Sequence, residues 1–185
     1  DDASFASAQS ETYAAREGAV GFRKTFAEDT EMTGNMKLRL WVEAEGAKDM
    51  DLFVAIKKYD ADGKEVTFYG KAGYAKTPVA LGWLRVSQRE LDLDRSTPLQ
   101  PFLKHERSLK LSRGEVVPIE VEILPSSTLF RAGETLGVAI QGHDHFKHHA
   151  LAHEKIVNQG RHVIHFGGEY DSHLLVPIIP RGGAS

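Results

Sequence analysis

Along KLRLWVEA, residues 37–44, apolar and polar side chains alternate without a break: Leu38, Leu40, Val42 and Ala44 share one face, Lys37, Arg39, Trp41 and Glu43 the other. A period of two predicts a strand with one side buried. The same alternation returns in DLFVAIKK through Leu52, Val54 and Ile56, in VVPIEVEIL through Val117, Ile119, Val121 and Ile123, and in TLGVAIQG through Leu136, Val138 and Ile140. AVGFRKTFA, GWLRVSQR, RHVIHFG and SHLLVPIIP are further strand candidates, the last apolar on both faces and so expected to be covered on both.

Turn chemistry separates these runs. DADG at 60–63 ends in an Asp-Gly pair suited to tight reversal, EMTG precedes the strand at Lys37, and RAGE at 131–134 precedes the one at Thr135. HHALAHEKIVNQ is the one stretch long enough for two or three helical turns, and SSTLF holds at most one. Eight or nine strands with hardly any helix predict an all-β fold, a jelly-roll β-sandwich, because antiparallel sheets apolar on one face must stack on each other. Residues 1–18, rich in Ser, Ala, Asp and Glu, read as a linker or extended arm, and 19–185 as the sandwich domain. Residues 91–108, with two prolines and little periodicity, form a long excursion over the surface; loops of this length are commonly interfaces.

Composition narrows the possibilities. A chain of 185 residues fits one domain able to bury roughly 70% of its unfolded surface. With no cysteine, disulfides, thiolate nucleophiles and sulfur-ligated metals are excluded. The 23 basic and 26 acidic residues are interspersed and leave a net charge of −3, so no broad field gathers phosphates and nucleic acid is not an expected partner. No apolar run approaches the ~20 residues of a membrane span, and no secretory signal pattern is present; the expectation is a soluble chain, with the cytoplasm somewhat favoured.

No G-x-S-x-G nucleophile frame, Walker loop or G-x-G-x-x-G occurs. HEKIV at 153–157 begins like a zincin helix, but Val157 stands where the second histidine belongs. GHDHFKHHALAH, residues 142–153, holds five of the nine histidines. His143 and His145 on an extended segment, with His149 and His153 one helical turn apart, could supply two plus two metal ligands. The plainer reading is a hydrated loop, and neither metal nor cofactor is expected. Trp41 and Phe53 fall on the polar faces of their strands; if these strands pair as a hairpin through EGAKD, the two rings face each other outside, as an interface or a sugar-stacking platform. Asp49 and Asp51 could bind a cation or act as acid and base, but their position at a strand start fits pairing with arginines such as Arg85 and Arg89.

The order of Gly34, the Asp49 and Asp51 pair leading into Leu52, the Asp62-Gly63 turn, GWLR with Arg89 following, PSSTLFRAGE before the strand carrying Ile140, and the closing LLVPIIP resembles the C-terminal domain of the X-Pro dipeptidyl-peptidase and cocaine esterase (CocE/NonD) family of serine hydrolases. The resemblance covers residues 13–180. It implies a jelly roll similar to galactose-binding folds, without catalytic residues of its own, that packs on an N-terminal α/β-hydrolase domain and shapes substrate access or a homo-oligomer. The parent's activity would be dipeptidyl-peptidase or ester and amide hydrolase. No triad residue carries over onto this chain. The His-rich segment departs from the family's loop and reads as an embellishment. A carbohydrate-binding module using Trp41 and Phe53, and a His-ligated metalloprotein, are the rival readings.

Overall fold

The computed structural model describes residues 6–70, 76–145 and 152–180. In chain order its strands are β1 (Gln9–Ala14), β2 (Ala19–Thr25), β3 (Thr30–Glu45), β4 (Asp51–Tyr59), β5 (Glu65–Val66), β6 (Ala80–Arg85), β7 (Val117–Phe130), β8 (Thr135–Gln141), β9 (Arg161–Phe166) and β10 (His173–Leu175). Every pairing is antiparallel. Strands β1-β9-β3-β7 make one layer, sheet A, and β6-β4-β8-β2 the other, sheet B, with β10 added beside β3 and β5 beside β4. The layers share one ladder pair, Gly82 with Ile123, at the seam between β6 and β7. The two ends of the hydrogen-bonded order, β1 and β2, are consecutive in the chain, so a tight turn brings the free ends of the two layers together. The chain crosses between layers at each step from β1 to β4 and again from β6 to β9, the winding of a jelly roll, as the sequence predicts.

The predicted inward faces are the core. Leu38, Leu40, Val42 and Ala44 of β3 and Leu52, Val54 and Ile56 of β4 are buried, as are their counterparts on β7 and β8. Each layer contributes one apolar face, and stacking them removes both from water. Among the described residues the only helical piece is a 3-10 turn at Val86–Gln88, and no helix is long and apolar enough to cross a membrane.

Five local expectations are corrected. Residues 9–14, read as linker or arm, form β1, whose Tyr13 is buried; one buried position in six is too weak a period to read. EMTG is not a turn before β3 but part of it: β3 starts at Thr30 and absorbs Gly34 in a bulge, where φ is 131°. SSTLF lies within β7, and Ala152–Gln159 has no helix, its backbone being committed to other partners; residues 148–151 lie outside the described residues. The closing apolar run is a strand only at His173–Leu175, and it is covered on one side: Leu174 and Val176 pack on the core, whereas Leu175, Ile178 and Ile179 are exposed.

Gly82 makes the seam possible. A Cβ there would stand 2.4 Å from the Glu122 carbonyl oxygen and 2.6 Å from Ile123 Cδ1, so only glycine lets β6 approach β7. Gly82→Ala is expected to cost about 2 kcal/mol, the usual range for overpacking, checked by urea unfolding; an unchanged midpoint would show that the seam yields freely.

Candidate functional site

The acidic pair is tied into the framework of the fold. Asp49 accepts the backbone N–H of Ser87 at 2.9 Å and of Met50 at 3.0 Å, and the Lys110 ammonium at 2.6 Å. Burial alone would raise its carboxyl, but these bonds outweigh it and hold the group below its ordinary value. Asp51 receives Arg85 through two nitrogens, at 2.7 and 2.9 Å, and the Val157 N–H at 2.9 Å. Arg85 is the expected partner, brought opposite Asp51 by the β4–β6 register. Arg89 is not: its guanidinium donates to the Val86 and Leu109 carbonyls. With both carboxylates engaged, neither has the freedom a general base needs.

The described residues on either side of the histidine segment's centre, 142–145 and 152–158, form a strap held to sheet B. His145 donates from Nε2 to the Phe53 carbonyl at 3.0 Å, and burial lowers its pKa to about 4, so it is neutral near pH 7. Asp144 accepts both the backbone N–H and the ring Nδ1–H of His153, at 2.8 and 2.9 Å. His143 Nδ1 lies 3.0 Å from the Gln141 amide nitrogen. His149 lies outside the described residues. Among the described residues no three His, Asp or Glu side chains converge as metal ligands would. The strap ends at Asn158, which is fully buried: its Oδ1 accepts the Asp51 N–H at 2.7 Å, and its Nδ2 donates to the carbonyls of Asp51 and Gly142, both at 2.8 Å.

Trp41 and Phe53 do not face each other. Strands β3 and β4 belong to different layers, so EGAKD crosses the sandwich instead of closing a hairpin. Trp41 stands opposite Pro118 and His165 on the outer face of sheet A, its indole N–H 2.6 Å from Asp171 and its ring against Tyr170. That indole, with Arg39, holds the Asp171 carboxyl below its ordinary value. Phe53 stands opposite Trp83 on the outer face of sheet B and is 3% exposed, packed against the His153 ring. The two rings therefore cannot form one platform. Alternation along a strand tells in from out; it does not tell which strand lies alongside.

An open groove lies at the seam. Between the 3-10 turn and β7 the chain makes its long excursion, irregular but tied down: Leu91 bridges Leu103, the Lys104 N–H donates to Glu90, and Arg107 grips the Glu90 carboxylate at 2.7 and 2.9 Å. Together with β6 and β7 it encloses a groove of about 390 Å³ whose lining includes Trp83, Phe102, Leu124, Arg95, His105 and Glu122. Trp83, Phe102 and Leu124 are 38%, 37% and 46% exposed. His105 adopts φ 56°, left-handed backbone that a side chain enters at a cost. The excursion is expected from the sequence as a candidate interface; Trp83, which lines the groove beside it, is not singled out there. The signal was present, since the alternation of Ala80, Gly82 and Leu84 inward turns Trp83 outward.

The family model described as X-Pro dipeptidyl-peptidase C-terminal non-catalytic domain matches residues 1–175. Two crystal structures of a CocE/NonD family hydrolase from Staphylococcus aureus are 46% and 45% identical to this chain, with TM-scores of 0.91 and 0.92, covering 96% of it in each case. The chain spans 34% of the length of those relatives. An aminopeptidase from the marine sediment archaeon Thaumarchaeota archaeon, 16% identical over 90% of this chain and 26% of its own with a TM-score of 0.60, is alike in fold alone. An α-amino acid ester hydrolase, at 13% identity and TM-score 0.55 over 87% of this chain and 25% of its own, is likewise similar in fold. No curated protein sequence matches.

Proposed function

The chain belongs to the family of X-Pro dipeptidyl-peptidase C-terminal non-catalytic domains, and from that premise we propose that it serves as the docking and shaping domain of a larger serine hydrolase. The observation that carries this reading is the agreement, in fold and at 46% identity, with one third of a CocE/NonD family hydrolase. The partner is then an α/β-hydrolase domain in the same polypeptide, supplying the nucleophile for which this chain has no motif. The parent reaction is hydrolysis of an X-Pro peptide, or of an acyl ester or amide, and the sandwich contributes to substrate access or to oligomer assembly. Of the two aromatics read as interface residues, Trp41 keeps an accessible edge on sheet A, while Phe53 is covered by the strap.

The 185-residue chain alone is expected to leave X-Pro nitroanilides and acyl nitrophenyl esters unhydrolysed. The polypeptide from the complete reading frame is expected to hydrolyse one of these classes, and a fluorophosphonate should abolish the turnover. Hydrolysis by the isolated chain, insensitive to that reagent, would refute the reading.

A further inference from the structure

Resting on that reading, we infer that the seam groove is the seat of the hydrolase domain, and that it receives a convex apolar projection flanked by a cation and an anion. The groove is partly apolar, walled by Trp83, Phe102 and Leu124, three of the large apolar side chains that the fold leaves exposed, gathered here from three segments around one concavity. The groove also carries charge. The Glu122 carboxylate accepts one amide, from Gln100 at 3.3 Å, and Arg95 stacks over the Phe102 ring at 4.5 Å; among the described residues neither takes part in an ion pair. Neighbouring Glu120, by contrast, is matched by Lys37 at 3.0 Å and Arg39 at 3.5 Å. A surface that pairs one glutamate twice and leaves the next without a cation is complementary to something bringing its own charges.

Shape selects the occupant. Two copies of the same concave groove placed face to face would leave both cavities empty, so a second copy of this domain fills it poorly. A neighbouring domain with a protruding loop or helix corner fits, and the S. aureus relatives devote two thirds of their length to chain outside the matched region. The wall is also preformed. Arg107 on Glu90 and the Leu91–Leu103 bridge hold the excursion in place, and the strained backbone at His105 is fixed within it. A partner seating here would not have to order the excursion first.

Hydroxyl-radical footprinting of the complete polypeptide and of the 185-residue chain, each scaled to a dose reporter and run at two concentrations a hundredfold apart, tests the assignment. Trp83 and Phe102 are expected to oxidise at least fivefold more slowly in the complete polypeptide, equally at both concentrations. Leu124→Asp, an exposed position where folding should survive, is expected to return the Trp83 rate to that of the isolated chain. If the complete polypeptide is a fluorophosphonate-sensitive hydrolase and Trp83 remains within twofold of its isolated rate, the seat lies elsewhere while the family reading stands. Protection that appears only at the higher concentration would assign the groove to a second copy and overturn the inference. Absence of fluorophosphonate-sensitive hydrolysis would overturn both.

Discussion

Asn158→Ala is expected to lower the unfolding free energy by about 4 kcal/mol. The side chain satisfies three backbone groups, the N–H and C=O of Asp51 and the C=O of Gly142. Asn158 is fully buried, so removing its amide leaves these groups without partners away from water, at roughly 1–3 kcal/mol each. For a domain of this size that corresponds to a fall in Tm of about 10 °C. The Asn158 backbone carbonyl, which the substitution keeps, accepts Arg16 from the β1–β2 turn at 2.8 Å, so this one residue joins the strap, β4, β8 and the corner between the layers. Asn158→Asp should be no milder: it keeps the acceptor, loses both donors and brings a second carboxylate beside Asp51. Urea unfolding at neutral pH decides the matter, and a change below about 1 kcal/mol for Asn158→Ala would mean the node is dispensable.

Acid should destabilise the fold well above the range in which its carboxylates titrate. His162 sits on the inner face of β9 with no exposure, its Nδ1 3.0 Å from the Tyr13 hydroxyl and its Nε2 without a partner among the described residues. Burial pushes its pKa down to about 4, against a smaller opposing pull from Asp51, and pushes the Tyr13 phenol up. His145 is lowered to about 4 for the same reason, opposed by the Phe53 carbonyl and Asp144 and reinforced by Lys57 and His143. In the unfolded chain both titrate near 6.5. Between 6.5 and 4 the unfolded chain therefore binds protons the native state refuses, and stability falls as pH falls. The contribution is complete above 6.5 and exhausted near 4. It amounts to at most about 3 kcal/mol for each histidine. Carboxylates held low in the fold, Asp49 among them, act only below about pH 4. Urea unfolding between pH 7 and 4 should show a slope approaching two protons, reduced to one in His162→Leu even though that variant is itself less stable. A flat profile down to pH 5 would show that these imidazoles accept protons in the folded state.

Strand periodicity was legible because each half-buried strand repeats its environment every second residue, so KLRLWVEA and DLFVAIKK declared their inner faces with no knowledge of their neighbours. β1 escaped because a single buried residue, Tyr13, carries its share of the core. His162 escaped for a related reason: in RHVIHF it looks like a surface residue between apolar ones, and only the layer above it shows that its position points inward. The helix expected over HHALAHEKIVNQ failed where it can be judged because Val157 and Asn158 hydrogen-bond to a carboxylate and a backbone more than a hundred residues away, which competes with local helix formation. The acidic pair was read correctly in kind, though only one of its two suggested arginines arrived.

Local alternation and turn residues were enough to define an all-β sandwich, since each depends on near neighbours in the chain. Which faces meet was decided by the tertiary structure. Trp41 and Phe53 lie twelve residues apart yet on opposite layers, and Trp83, Phe102 and Leu124 come together at one seam from three separate segments, because strand order in a jelly roll is set by long-range pairing that no short window of sequence contains.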